Sequence, residues 1–156
     1  MSIDPAWSDD GAMARALEAA RDAARAGEVP VGAVVLRQGR LLSVAGNARE
    51  AEDDPTAHAE IIALREAAAG LGRWRLDDVT LVVTLEPCSM CAGAIVAARV
   101  PRVVIGAMDE KAGAAGSRYN ILQDPRLNHM AEVTTGLRAA ESAALLSEFF
   151  AAKRSG

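Results

Sequence analysis

Aromatic side chains are nearly absent from this sequence, making up 3% of its 156 residues. A hydrophobic core must therefore be built from aliphatic side chains, and 51% of the residues are hydrophobic. Cysteine and histidine are equally scarce, with two of each. In a reducing compartment, a lone Cys-x-x-Cys motif indicates metal or redox chemistry before it indicates a disulfide. The length suits one domain with a sizeable core, so we expect a single domain over residues 1–156.

Long apolar runs are also missing. The longest stretch of small or apolar residues, Ala92 to Ala98, is far too short to span a bilayer. The acidic N-terminal segment lacks the apolar stretch of a signal peptide. We therefore expect a cytoplasmic protein without a membrane partner.

An excess of positive charge is the third absence. The formal net charge is −4, which is not typical of a nucleic-acid-binding protein. Seven basic residues in the second half of the chain would form either a local basic rim or an ordinary solvated surface, and composition favours the solvated surface. These are Arg99, Arg102, Lys111, Arg118, Arg126, Lys153 and Arg154.

The hydrophobic pattern alternates between helix and strand. We expect helices between a Ser8 cap and Gly27 and at residues 57–70, 89–99 and 138–154, and strands at 31–37, 41–45, 79–84 and 103–107. The first two strands flank Gln38-Gly39 and should form a hairpin. Residues 49–54 read as a solvated loop, and the last helix carries Leu145, Leu146, Phe149 and Phe150 at core spacing. The order of elements from residue 79 onward predicts a three-layer α/β fold with helices on both faces of the sheet.

The residues with chemical potential fall in two short segments. Cys88 and Cys91 are three residues apart, and His58 precedes Glu60 by two residues. Two thiolates and one imidazole are the ligand count of a catalytic zinc site, which leaves the fourth tetrahedral position for water. A structural zinc site would need a fourth ligand, and the remaining candidate, His129, is distant in sequence and reads as structural.

Such a zinc site would lower the pKa of its water to about 7. Helix N-termini favour the thiolate form of both cysteines. Glu60 need not bind the metal and is free to carry a proton from the water to a leaving nitrogen. A redox-active Cys-x-x-Cys motif and a structural zinc site remain as less favoured alternatives. Taken alone, Asn47 is an ordinary turn residue and Asp109 an ordinary loop residue.

The two segments together are characteristic of a family. His58-Ala59-Glu60 followed by Pro87-Cys88-Ser89-Met90-Cys91 resembles the zinc-dependent cytidine and deoxycytidylate deaminase superfamily. Further segments resemble the bacterial tRNA-specific adenosine deaminases within it, and the resemblance runs from about residue 10 to 152, which we take as the core of the domain. These segments are residues 28–33, 46–47, 54–61, 83–88, 90–94, 106–107 with 109, 111 with 113–117, 127–129 and 145–150.

The resemblance implies a cytidine-deaminase-like α/β/α fold with a mixed five-stranded sheet. It implies hydrolytic deamination of adenosine to inosine at the wobble position of a tRNA, mainly an arginine tRNA. His58, Cys88 and Cys91 would bind one Zn²⁺ per subunit, and Glu60 would carry the proton. The residues implied to contact the substrate are Asn47 by a hydrogen bond, Val31 and Leu85 as pocket walls, the backbone around Ala59 at the flipped base, Asp109 near the sugar, and Phe149.

Partners follow from the same resemblance. The resemblance implies a homodimer that binds the anticodon stem-loop. The small residues of helix 89–99 would permit close packing between subunits, and they would equally suit packing inside the monomer. Residues 118–120 depart from the family pattern, which affects contacts with flanking nucleotides and not the chemistry. Two alternatives stay open: a deaminase of small bases such as guanine or cytosine, and an inactive RNA-binding subunit. The presence of Glu60 argues against the inactive subunit.

Overall fold

The computed structural model describes residues 6–155, and these form one sheet covered by helices on both faces. The helices are α1 (Asp9–Arg25), α2 (Arg49–Glu52), α3 (Ala59–Leu71), α4 (Ser89–Ala97) and α5 (Ala139–Ser155). The strands are β1 (Gly32–Arg37), β2 (Arg40–Gly46), β3 (Val79–Leu85), β4 (Arg102–Ala107) and β5 (Glu132–Thr134). Residues 1–5, which carry part of the N-terminal prediction, and residue 156 lie outside the described residues, so the single domain over 1–156 stays a prediction.

The sheet is mixed, with the strand order β2-β1-β3-β4-β5. β1 pairs antiparallel with both β2 and β3, whereas β3, β4 and β5 run parallel. The predicted three-layer α/β/α fold with a mixed five-stranded sheet is confirmed. β3 therefore has an antiparallel neighbour in β1 and a parallel neighbour in β4. Its continuous apolar sequence reflects burial on both faces, which does not depend on the direction of its neighbours.

The β1–β2 hairpin forms where the sequence predicted it. Gln38 and Gly39 both have positive φ, at 52° and 75°. A two-residue turn with two positive φ values matches the right-handed twist of the flanking strands.

Aliphatic residues fill both layers of the core. On one face of the sheet, α1 packs on β1 with Met13, Leu17 and Val34 buried between them. On the other face, α3 and α4 pack against a larger cluster that includes Leu81 and Ile95. The described helices of residues 6–155 include none that is long and apolar enough to cross a membrane.

One prediction about local structure is wrong and a second holds only in part. The expected polar loop at residues 49–54 contains the short helix α2, although Glu50, Glu52 and Asp53 are exposed as predicted. The apolar stripe of α5 is only partly a core stripe, since the fully buried residue of that helix is Ser142, whose hydroxyl donates to Thr84 O at 2.6 Å. Leu145 packs on the smaller cluster, and Phe150 is 42% exposed.

Candidate active site

The three predicted metal ligands meet at the starts of two helices. His58 immediately precedes α3, Cys88 immediately precedes α4, and Cys91 lies in the first turn of α4. His58 Nδ1 is 3.7 Å from Cys88 Sγ and 3.4 Å from Cys91 Sγ. Their ligand atoms all lie within 4.8 Å of one another, and this is the cluster with metal-binding potential among residues 6–155.

These distances fit a tetrahedral zinc ion. Zn–S bonds of about 2.3 Å and Zn–N bonds of about 2.0–2.1 Å, set at the tetrahedral angle, separate S from N by about 3.6 Å. The two S···N distances lie on either side of that value. The cluster can therefore hold a divalent metal with three protein ligands, which leaves a fourth position open.

The protonation of the two thiols shows why a cation suits this position. Hydrogen bonds from Cys91 and His58 lower the pKa of Cys88 to about 3. The same hydrogen bond with Cys88, together with burial, raises the pKa of Cys91. Two adjacent thiols do not both ionise easily without a positive charge between them. Binding of a divalent cation would displace the Cys91 proton, since thiolate is the ligating form.

Glu60 lies in the first turn of α3, two residues after His58, and is 4% exposed. Burial raises the pKa of its carboxyl group. Glu60 lines a cleft of about 310 Å³ together with His58 and Cys88. A buried carboxyl group next to a metal cluster, with a raised pKa, has the properties of a general acid–base group.

Asn47 is held at the edge of this cleft by its own side chain. Its Oδ1 accepts a hydrogen bond from the Ala59 amide at 2.8 Å, and its backbone amide donates to Val31 O at 3.1 Å. Because Oδ1 is engaged, the Nδ2 group is the part of the amide that is oriented by the protein and left for a ligand. The Ala59 N–H donates to Asn47 and is therefore not available to the substrate. The prediction that the backbone around Ala59 receives the flipped base now concerns its other backbone groups.

Of the other residues predicted to contact the substrate, three line the cleft and one does not. Val31, Leu85 and Asp109 line the cleft. Phe149 lines neither this cleft nor the second cavity beside it, which is described below. Its ring lies edge-to-face with that of Phe150, with the ring centroids 5.4 Å apart, and Lys153 Nζ is 5.2 Å from its ring centroid. Phe150 and Leu146 reach that neighbouring cavity in its place.

Similar proteins decide the family of this chain. A family model described as MafB19-like deaminase matches residues 7–154. The tRNA-specific adenosine deaminase of Bacillus subtilis is 48% identical over 142 residues, covering 91% of this chain and 88% of the relative. The tRNA-specific adenosine deaminase of Haemophilus influenzae is 48% identical over 147 residues, covering 94% and 85%. The chain belongs to the tRNA-specific adenosine deaminase family.

Solved structures agree with this family and extend to a neighbouring one. A structure from work on A-to-I editing by tRNA:A34 deaminases at the wobble position has a TM-score of 0.84 at 44% identity, covering 86% of this chain and 98% of that chain. A guanine deaminase from Nitrosomonas europaea has a TM-score of 0.82 at 28% identity, covering 93% and 86%.

Four residues that line the deaminase cleft were not predicted to do so: Val29, Arg49, Glu86 and Ala112. Glu86 is 2% exposed. Burial would raise its pKa, but hydrogen bonds from Ser117, Asp109 and Ala115 outweigh that effect and lower the pKa. One signal for Glu86 was present in the sequence, because a carboxylate between a buried strand and Pro87 must find donors, and a glycine-rich loop offers unpaired backbone amides.

A second cavity of about 640 Å³ adjoins the cleft and shares Val29, Leu85 and Asp109 with it. Its remaining lining residues are Met108, Glu110, Lys111, Leu146, Phe150 and Arg154. We call Arg49, Lys111 and Arg154 the rim cations, since they line the cleft or this second cavity.

The basic rim that the sequence left open involves few of the seven basic residues. Arg102 pairs with Asp9, and Arg126 pairs with Asp124. Arg99 and Arg118 donate to backbone carbonyl groups. Of the seven basic residues, Lys111 and Arg154 alone line a described cavity.

Proposed function

We propose that this protein is a zinc-dependent deaminase that converts adenosine to inosine at the wobble position of a tRNA, with an arginine tRNA as the first candidate. The observation that carries the proposal is the position of a buried carboxyl group, Glu60, in one cleft with a three-ligand cluster of tetrahedral spacing. The substrate follows from relatives that are 45–48% identical and named tRNA-specific adenosine deaminases.

The chemistry divides between the metal and Glu60. Zinc held by His58, Cys88 and Cys91 would supply a water of lowered pKa as the nucleophile. Glu60 would take one proton of this water and deliver it to the purine ring nitrogen, and would then carry the remaining proton, that of the new C6 hydroxyl group, to the departing amine. A C6–O bond forms, the C6–N bond breaks and ammonia leaves. The raised pKa of Glu60 favours this role, because the group must hold a proton between the two transfers.

The remaining cleft residues position the nucleotide. An adenosine inside an anticodon loop must be turned out of its stack to reach a buried site. Asn47 Nδ2 would hydrogen-bond the flipped base, and Val31 and Leu85 would flank it. Asp109 would lie near the sugar. Phe149 lines neither cavity, so it would contact the substrate only outside them.

We propose a homodimer that binds the anticodon stem-loop in the cytoplasm. Support for the dimer comes from α4, where Gly93 and Ala97 are exposed and a Cβ built on Gly93 would meet no atom within 4 Å. Such a helix face allows close approach of a second copy. Sedimentation at several protein concentrations tests this: a monomer throughout would contradict it.

A second candidate function is deamination of a free base such as guanine. The specific observation in its favour is the similarity to the guanine deaminase of Nitrosomonas europaea, with a TM-score of 0.82. Its lower identity of 28%, against 48% for the tRNA-specific relatives, places it second.

The deciding experiment is incubation of the zinc-loaded protein with an arginine tRNA transcript that carries adenosine at the wobble position. Inosine at that single position, and none with Glu60→Ala, would support the reaction, the substrate and the role of Glu60 together. A panel of free bases and nucleosides is assayed in parallel. Efficient turnover of guanine without inosine in tRNA would replace the first candidate by the second.

A further inference from the structure

Glu86 is a buried carboxylate that forms no ion pair with the described residues. It follows the last residue of β3, and its side chain is 2% exposed. The hydrogen bonds to its carboxylate all come from one segment of the chain, residues 109–117, which we call the Asp109 loop. Oε1 accepts from Asp109 N at 2.9 Å and Ser117 Oγ at 2.5 Å, and Oε2 accepts from Ala115 N at 2.9 Å and Ser117 N at 3.0 Å.

The Asp109 loop is fitted around this carboxylate. A Cβ built on Gly113 would lie 2.2 Å from Glu86 Cδ and Oε1. Contacts under about 3 Å are not tolerated, so only glycine lets the backbone approach so closely. The glycine and the four donors therefore serve the same group.

The loop in turn forms one wall of the cleft. Asp109 and Ala112 line it, and so does Glu86 itself. Asp109 Oδ1 is further fixed by the amides of Lys111 and Ala112, at 3.0 and 3.2 Å. The position of the Asp109 side chain in the cleft thus depends on a backbone that Glu86 holds.

We propose that Glu86 is a positioning residue that fixes the Asp109 loop as the wall of the cleft against which the substrate nucleoside binds. Glu86 acts through the loop and does not touch the reacting atoms. The identity of that nucleoside rests on the proposed function. The metal ligands and Glu60 are held by α3 and α4, so the proposal concerns substrate binding more than the chemical step.

Glu86→Gln tests this because a carboxamide cannot replace the carboxylate here. Each carboxylate oxygen accepts from at least one backbone N–H, Asp109 on one side and Ala115 with Ser117 on the other. The NH₂ group of glutamine would face a donor in either orientation. A buried donor without an acceptor destabilises the local structure, so the loop should loosen.

The measurements are kcat and KM for tRNA, zinc content, and hydrogen exchange of the amides of residues 109, 115 and 117. For Glu86→Gln we expect faster exchange at these amides and a KM raised by about tenfold or more, with kcat within about threefold and zinc content unchanged. Gly113→Ala is the independent variant, because it disturbs the same contact and leaves Glu86 in place. Ser117→Ala is the graded variant, since it removes one of the four donors and keeps every backbone donor, so its KM and its exchange should lie between those of the wild type and those of Glu86→Gln.

Three results would overturn the proposal. Unchanged exchange would show that Glu86 does not hold the loop. Faster exchange with unchanged KM would reduce Glu86 to a structural role. A lower kcat and a lower zinc content at unchanged KM would show that Glu86 acts on the metal ligands and not on substrate binding. If Glu86→Gln does not fold, Gly113→Ala carries the same comparison. If the wild type makes no inosine in tRNA, the proposed function falls, and the same KM and kcat comparison on guanine decides the role of Glu86.

Discussion

Asn47 combines two roles in one side chain, and a pair of substitutions separates them. Its Oδ1 accepts the Ala59 amide at 2.8 Å at the start of α3, and Ala59 is 0% exposed. In the proposed function, its Nδ2 group donates to the substrate. Asn47→Ala removes both groups. Asn47→Asp keeps an acceptor for Ala59 and removes the donor, and it places negative charge near a helix N-terminus, where such charge is favourable.

The two variants should therefore differ in stability. Asn47→Ala leaves a buried N–H without an acceptor, which costs about 1–3 kcal/mol. For a chain of this size, each kcal/mol corresponds to a Tm shift of about 2–4 °C. Asn47→Asp should remain within about 1 kcal/mol of the wild type. Both proteins are unfolded thermally at equal zinc concentration, because bound metal stabilises the native state.

Activity should not separate them. Without the Nδ2 donor, an acceptor of the bound base is desolvated and unpaired, which costs about 1–3 kcal/mol and lowers kcat/KM by roughly 5- to 150-fold in both variants. Wild-type kcat/KM in Asn47→Asp would refute the assignment of Nδ2 to the substrate. Wild-type stability in Asn47→Ala would refute the role of Oδ1 in holding α3.

Four further predictions test the site and the fold. Glu60→Gln should lower kcat by about 10²–10⁴ with zinc content and tRNA affinity retained; an unchanged kcat would exclude Glu60 from proton transfer. Chelation should abolish deamination and lower Tm, and added zinc should restore both; full activity of the metal-free protein would exclude the metal. Hydrogen bonds from Arg73 and Arg37 lower the pKa of Asp78, so its contribution to stability is present above the ordinary pKa of about 4 and is lost as the pH falls through the lowered pKa. The free energy of unfolding measured in urea should be lower for Asp78→Asn than for the wild type near neutral pH, and this difference should become smaller at acidic pH; a difference that does not change with pH would contradict this. If tRNA binds through the three rim cations, the logarithm of its binding constant should fall with the logarithm of the salt concentration with a slope of about −2, at about −0.7 for each phosphate contact. A slope near −6 would require phosphate contacts elsewhere on the protein.

The metal cluster was predictable because its signal is local. Cys88 and Cys91 are fixed three residues apart at the start of one helix, and His58 starts another, so the spacing alone limits where the ligand atoms can go. The distances between them follow once the two helices pack on the same face of the sheet.

The misjudged residues depend on contacts far apart in sequence. The apolar stripe of α5 has the period of a core helix, yet the stripe alone does not show that part of it faces a cavity. The commitment of the Ala59 amide to Asn47 joins residues 12 apart, and Glu86 meets its donors 23 to 31 residues later. No local periodicity reports such pairs.

The direction of β1 explains why the cleft forms where it does. Val31 precedes the start of β1, Asn47 follows the end of β2, and Leu85 ends β3. Because β1 runs antiparallel to both neighbours, its start lies beside their ends, as the pairings Gly32↔Gly46 and Ala33↔Val83 show. In a purely parallel sheet, Val31 would lie at the opposite edge. β4 runs parallel to β3, so the loop that begins with Asp109 leaves from this same edge. Glu86, at the end of the central strand, is therefore within reach of that loop, and the antiparallel hairpin on its other side supplies the facing wall.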